Sequence, residues 1–130
     1  MNSSVAKAPV QSKVWVVAAC FNEEAVICQF IQRVLALSEV SRLVLVDDGS
    51  VDKTVERVCD WQRTQNEEAE AKKLTLLELT RNFGKEAAML AGLDYARDQC
   101  SAVVLIDSDL QHPPELIPRM VDSWRNGAEV

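Results

Sequence analysis

Two carboxylates that could bind a cation, Asp107 and Asp109, directly follow the apolar run 102–106. In extended backbone their side chains point to one side and that of Ser108 points to the other. Carboxylates on one face repel each other unless a cation lies between them or one takes up a proton. Oxygen ligands suit Mg²⁺ or Mn²⁺, so the spacing indicates a divalent-cation site to which Gln111 adds an amide oxygen. The alternative is a pair of exposed turn aspartates, and the position behind a buried strand favours the cation.

A second acidic pair, Asp47 and Asp48, follows the apolar run 43–46 and precedes Gly49 and Ser50. These residue types are common in turns and helix caps, which explains part of the segment. A carboxylate at a strand end can also accept hydrogen bonds from a ribose hydroxyl or a nucleobase N–H. The segment therefore predicts a turn that contacts a nucleotide.

Basic side chains follow a third apolar run, 74–79, at Arg81 and Lys85. A helix that begins near Lys85 would add the positive end of its dipole. Together they could offset the charge of a diphosphate beside a metal, although alone they would be solvated surface cations. The single histidine, His112, precedes two prolines and is more typical of a loop residue than of a general base.

Short β-branched runs alternate with stretches of helical period along the whole chain. This alternation predicts βαβ units and a Rossmann-like α/β fold, with a mostly parallel sheet flanked by helices. The first run, 14–18, is continuously apolar, as in a strand covered on both faces. The last helix is predicted to bury Leu116 and Met120. Because ligands of open α/β sheets bind at the carboxyl ends of the strands, the acidic and basic segments are expected to converge there.

The chain has 130 residues, a formal net charge of −6 and 48% hydrophobic residues. These values predict one globular domain, 14–130, behind a flexible tail, 1–13. The acidic balance argues against nucleic-acid binding. The four cysteines lack zinc-site spacing and predict reduced thiols. Without an apolar run of ~18 residues the 130-residue fragment is expected to be soluble.

Four segments at the predicted strand ends occur in a fixed order that resembles a known family. They are 21–24 (FNEE), 47–50 (DDGS), 81–88 (RNFGKEAA) and 107–115 (DSDLQHPPE). Together they resemble the family 2 inverting glycosyltransferases of the GT-A fold, above all the polyprenyl-phosphate branch of bactoprenol glucosyltransferases and dolichyl-phosphate mannose synthases. The resemblance implies transfer of a hexose from a nucleotide sugar, UDP-glucose or similar, to a polyprenyl phosphate.

The resemblance also implies a role for each matching position. The residues that match the nucleotide-sugar site are Ala19, Phe21, Glu23, Val46, Asp47, Asp48, Lys85, Asp107, Ser108 and Asp109. Asp107 and Asp109, with Gln111 nearby, match the positions that hold Mg²⁺ or Mn²⁺. Phe21 stands where the family usually has tyrosine, which keeps a stacking ring and removes one hydrogen bond.

The resemblance further implies that the chain is the N-terminal, nucleotide-binding part of a longer enzyme. The general base and the membrane segments of the lipid-carrier branch are expected beyond Val130. The fragment is therefore expected to be inactive alone, and the parent protein to lie at the cytoplasmic side of the plasma membrane.

Two non-catalytic interpretations are also compatible with these residues. One is a phospho-receiver-like module, which would need its acidic pair after the first strand, whereas here the pair follows the second. The other is a structural α/β module that forms a homo-oligomer through a free sheet edge.

Overall fold

The structure is a computed structural model that describes residues 13–65 and 72–127. Apart from Lys13, the predicted N-terminal tail lies outside these ranges. The elements in chain order are β1 (Val14–Cys20), α1 (Ile27–Leu35), β2 (Val40–Asp47), α2 (Thr54–Thr64), β3 (Leu74–Glu78), α3 (Lys85–Ala96), β4 (Ala102–Leu105), a 3₁₀ turn (Pro114–Leu116) and α4 (Ile117–Arg125).

The four strands form one parallel sheet in the order β3-β2-β1-β4. In the middle of the sheet Val17 is in register with Val44 of β2 and with Leu105 of β4. The predicted fold class is confirmed. Since all strands run in the same direction, their carboxyl ends lie along one edge of the sheet.

Side chains of β1 alternate between two helical layers. Val14, Val16 and Ala18 pack in the layer that contains α1, α2 and α4, whereas Trp15 and Val17 pack in the layer that contains α3. Helices on both faces explain why the strand is continuously apolar instead of alternating.

Small residues allow α3 to pack close to the sheet. Ala88, Gly92 and Ala96, four residues apart, are the buried positions of this helix. A Cβ added at Gly92 would overlap the side chain of Val17 in β1. The close packing fixes the height of α3 above the sheet and so the place where the helix begins.

The last helix differs from the prediction at two positions. Leu116 and Met120 were expected in the core, but they are 40% and 38% exposed, while Ile117 and Val121 are buried. In the described part of the chain, β4 is an edge strand with a neighbour only at β1. Leu116 and Met120 lie beyond this edge, where no further strand in the described residues covers them. Over the same residues, no helix has the length and apolarity needed to cross a membrane.

Candidate functional site

A cavity of about 160 Å³ lies at the carboxyl ends of β1, β2 and β4. Its walls are formed by Ala19, Cys20, Phe21, Glu23, Asp48, Lys85, Asp107, Ser108 and Asp109. Ligand pockets usually measure roughly 300–1,000 Å³, so a molecule the size of a nucleotide sugar would extend beyond it. A second, more apolar cavity of about 410 Å³ adjoins the first and shares Lys85 and Asp107 with it.

The two aspartates that follow β4 both line the first cavity. The ammonium group of Lys85 lies 2.5 Å from Oδ1 of Asp107. Oδ1 of Asp109 accepts a hydrogen bond from the backbone N–H of Gln111, 3.0 Å away, which closes a tight turn. Leu110 has a φ of +67° within this turn. One carboxylate is thus paired with a cation and the other shapes the loop.

Ser108 joins this loop to the central strand. Its buried hydroxyl donates a hydrogen bond to the carbonyl oxygen of Ala19, at 2.9 Å. The bond connects residues 89 positions apart and holds the end of β4 against the end of β1. The aspartates on either side of Ser108 are positioned as a consequence.

Asp47, the last residue of β2, is buried and organises the turn that follows. Its carboxylate accepts hydrogen bonds from the backbone N–H of Ser50 at 2.9 Å and from the Ser50 hydroxyl at 2.6 Å. The thiol of Cys20 also points at it, with Sγ 3.6 Å from Oδ1. The side chain therefore acts within the turn and does not line the cavity.

Asp48, also buried, reaches the other way, toward the loop that precedes α3. Its two carboxylate oxygens accept the backbone N–H groups of Phe83, at 2.8 Å, and Gly84, at 3.0 Å. Its own carbonyl oxygen accepts a hydrogen bond from Nδ2 of Asn82. Asp48 thereby fixes the residue from which α3 begins.

The 47–50 turn and the 81–84 loop are in close contact. Gly49 has a φ of +75°, and a Cβ at this position would overlap the backbone of Arg81 and Asn82. Only glycine meets both conditions. The guanidinium group of Arg81 lies 4.8 Å from the centre of the Phe83 ring, a cation–π contact, and Arg81 lines neither of the two cavities described above.

Glu23 is placed at the cavity by α2. Its backbone N–H donates to the hydroxyl of Thr54 at 2.8 Å. Partial burial raises the pKa of its carboxyl, and the negative charges of Asp109, Asp52 and Asp107 raise it further. The site therefore has an excess of negative charge that a bound cation would relieve.

Cys20 is a cavity residue that the sequence analysis did not select. Burial, and next the neighbouring charge of Asp47, raises the pKa of its thiol far above the ordinary value, so the side chain stays a neutral thiol. Its position at the end of β1, among the other strand ends, is the signal that could have identified it.

Of the predicted site residues, eight line the cavity and three do not. Val46 is buried between the sheet and α3, and the Asp47 side chain lies within the 47–50 turn. Gln111 is exposed, and its backbone N–H donates a hydrogen bond to Oδ1 of Asp109. None of the three lines the first cavity. The roles assigned to all of them stay predictions. The placement shows which side chains could reach a common ligand.

The donor set is consistent with a divalent cation that is completed by a ligand. In the described ranges, no three His, Cys, Asp or Glu side chains are grouped as a ready-made metal cage. Asp107 and Asp109 nevertheless share one cavity, and a cationic group already lies against Asp107. Mg²⁺ and Mn²⁺ keep several waters and take phosphate oxygens of a substrate, so two protein carboxylates are sufficient. The residues present fit such an ion.

Comparisons with known proteins agree with this geometry. The sequence model described as "Glycosyl transferase family 2" matches residues 15–130. A bactoprenol glucosyl transferase from Shigella phage SfX is 38% identical over 123 residues, which cover 91% of this chain and 37% of that protein. An undecaprenyl-phosphate 4-deoxy-4-formamido-L-arabinose transferase from Aeromonas hydrophila is 38% identical over 119 residues, covering 88% and 34%. The chain thus spans about a third of the length of these relatives.

Among solved structures, a mannosyltransferase from Pyrobaculum calidifontis, PcManGT in complex with GDP-Man and Mn²⁺, superposes with a TM-score of 0.63 at 26% identity. The alignment covers 84% of this chain and 31% of that one. The fold is that of GT-A glycosyltransferases, of which this chain spans a part.

Proposed function

The chain belongs to glycosyl transferase family 2, and we propose that residues 14–130 bind the donor in an enzyme that transfers a hexose from a nucleotide sugar to a polyprenyl phosphate. The names of the two relatives, one a glucosyl transferase and both tied to a polyprenyl carrier, support this acceptor and favour glucose. UDP-glucose is the proposed donor.

The observation that carries the proposal is the convergence of Asp107, Asp109 and Lys85 on one cavity at the carboxyl ends of the strands. A nucleoside diphosphate needs positive charge, and here an ammonium group, the N-terminus of α3 and a pair of carboxylates that could hold a cation lie together.

In the proposed reaction an oxygen of the lipid phosphate attacks the anomeric carbon of the donor. A carbon–oxygen bond forms on one face while the bond to the nucleoside diphosphate breaks on the other, and the diphosphate leaves with the electron pair. Lys85 stabilises the charge that develops on the leaving diphosphate. Held by Asp107 and Asp109, Mg²⁺ or Mn²⁺ would supply further positive charge at the same place.

The nucleoside is proposed to lie on the β1 side of the cavity. Phe21 exposes its ring there and offers a face on which a base can stack. Glu23, held by Thr54, is close enough to the aspartates to sense their charge and can accept a hydrogen bond from the ribose. Ala19 leaves room for the backbone of this segment to approach the base.

The remaining parts of the reaction are assigned to residues outside the 130. Because the chain spans about a third of its relatives' length, the proposal gives the acceptor side and the general base to the rest of the parent protein. A polyprenyl phosphate is a membrane lipid, so the parent is proposed to act at the cytoplasmic face of the plasma membrane. Donor binding without turnover is the property proposed for the chain alone.

Titration calorimetry with UDP, UDP-glucose and GDP-mannose, each with and without Mn²⁺, tests the proposal. We expect Mn²⁺-dependent binding of UDP and UDP-glucose and weaker binding of GDP-mannose. Asp107→Asn and Asp109→Asn should each weaken Mn²⁺-dependent binding by at least about tenfold, since each removes a charged ligand.

Asp94→Asn is the matched control, because Asp94 is exposed on α3 and pairs with its neighbour Arg97, outside the cavity. It should bind like the wild-type chain. Absence of Mn²⁺-dependent binding of every nucleotide would reject the donor-binding function. Transfer of labelled glucose from UDP-glucose to undecaprenyl phosphate by the 130-residue chain itself would contradict the proposed division of labour.

A further inference from the structure

Lys85 and Asp107 form an ion pair at the border of the two cavities. Nζ lies 2.5 Å from Oδ1 of Asp107, and both residues line both cavities. The Lys85 side chain is 62% exposed and that of Asp107 34% exposed. The ammonium group of Lys85 is therefore paired with an oxygen of Asp107, a proposed metal ligand, while the rest of the group faces solvent.

The backbone at Lys85 is held in place, whereas its side chain is largely exposed. Asp48 accepts the backbone N–H groups of Phe83 and Gly84, which holds the residue directly before α3. The Lys85 side chain leaves this fixed point on a flexible four-carbon chain with three rotatable N–H donors. It can reach a second anion in the adjoining space without any change of the backbone.

An ammonium group and a divalent cation compete for the same carboxylate. Both are positive, and an ion bound between Asp107 and Asp109 would repel Lys85 from its present position. A diphosphate in the cavity would give the ammonium group another anion to pair with. Lys85 could then leave Asp107 without leaving a charge unpaired, because Asp107 would pair with the metal ion and Lys85 with the diphosphate.

We propose that Lys85 is the counter-ion of Asp107 until donor and metal arrive, and that its transfer to the diphosphate couples the binding of the two. The inference rests on the proposed function and adds a mechanism to it. Without nucleotide, a metal ion must displace Lys85 and binds weakly. With nucleotide, the displaced ammonium group is paired, so each ligand raises the affinity for the other by the same factor.

Electron paramagnetic resonance of free Mn²⁺ measures the affinity directly, with and without UDP, in the wild-type chain and in Lys85→Gln. Without UDP we expect Lys85→Gln to bind Mn²⁺ about two- to fivefold more tightly, the range typical of losing a competing exposed ion pair. UDP should raise the Mn²⁺ affinity of the wild-type chain by a larger factor than that of the variant.

Lys53→Gln is the control for a simple change of charge. Lys53 is exposed in the loop before α2 and lies outside both cavities. It should leave Mn²⁺ affinity unchanged. An equal gain in both variants, or no gain in Lys85→Gln, overturns the coupling. Circular dichroism checks that each variant is folded.

The two proposals fail in different ways. A wild-type chain that shows no Mn²⁺-dependent binding of UDP, UDP-glucose or GDP-mannose overturns the proposed function and the coupling with it. A wild-type chain that binds both ligands, with equal UDP enhancement in Lys85→Gln, overturns the coupling alone.

Discussion

Adjacent residues of the same type do different work in this protein. Asp47 and Asp48 follow one another at the end of β2, and the alternation of an extended chain points them to opposite sides. Asp47 accepts hydrogen bonds from Ser50, whereas Asp48 accepts those of the loop before α3. Asp48 also lines the cavity, so the side chain that holds the start of α3 is itself part of the site.

Asp48→Asn should destabilise the chain. An amide has one oxygen, so one of the two N–H groups would face an NH₂ group and lose its acceptor in a partly buried place. Leaving such a group unpaired costs about 1–3 kcal/mol. Urea unfolding should show a loss of this size in the free energy of unfolding.

The same Asp94→Asn variant used above is a suitable reference for this measurement. Its carboxylate is on the surface, and changes of this kind usually stay within about 0.5 kcal/mol. Equal stability of Asp48→Asn and Asp94→Asn would mean that the two backbone hydrogen bonds do not hold the loop.

At the scale of elements, the contact between α3 and the sheet decides where the basic end of the site lies. The buried side of α3 is made of Ala88, Gly92 and Ala96, and its N-terminus carries Lys85. A bulkier buried side would lift the helix from β1 and move Lys85 away from Asp107.

Gly92→Ala is not expected to stabilise the chain even though alanine is the better helix former. The substitution favours the helix by about 1 kcal/mol. The added Cβ, however, would overlap Val17 and crowd Val46, and overpacking of this kind costs about 1–3 kcal/mol. Thermal or urea unfolding should therefore show an unchanged or lower stability, together with weaker UDP binding.

Ala87→Gly, on the exposed side of the same helix, isolates the propensity effect. It should lower the free energy of unfolding by about 1 kcal/mol without changing UDP affinity. A gain of about 1 kcal/mol in Gly92→Ala would show that α3 does not approach the sheet closely.

Across the whole molecule, acidic side chains that follow two strands, together with one from the loop before α2, meet at the site. The charges of Asp109, Asp52 and Asp107 act on Glu23 although these residues come from distant parts of the chain. Their combined charge raises the pKa of Glu23 above its ordinary value of 4.5, after the effect of burial. The folded chain consequently holds the Glu23 proton more firmly than the unfolded chain.

The raised pKa of Glu23 makes the free energy of unfolding depend on pH in a direction that can be predicted. A raised pKa means that Glu23 contributes stability below its ordinary pKa and that this contribution is lost as the pH rises through the folded-state value. Glu23→Gln removes the dependence, so the variant should gain stability relative to the wild-type chain at about pH 7 and lose that advantage at about pH 4. Urea unfolding at the two pH values measures it.

Glu78→Gln, at the exposed end of β3, is the control and should show no such difference between the two pH values. If Glu23→Gln were less stable than the wild-type chain at both values, a favourable interaction of the Glu23 carboxylate would have to outweigh its burial and the neighbouring charges.

The sequence by itself determined the element types, the parallel sheet and the family. The reason is that these depend on local pattern: the continuous run of β1, the helical period of α1 and four motifs in order. The same local pattern placed the acidic residues at strand ends. It also decides against the receiver-like alternative, because the family match covers the chain from residue 15 onward.

Only the tertiary structure decided which of these side chains meet. Lys85 pairs with Asp107, and Ser108 donates a hydrogen bond to Ala19. Asp47 accepts hydrogen bonds within its own turn and not from the cavity. These contacts depend on the register of the strands and on the packing of the elements. The exposure of Leu116 and Met120 follows likewise from the position of β4 at the sheet edge. Periodicity states which face of an element is apolar, but contact between distant residues depends on how the elements are stacked, and that information is not local.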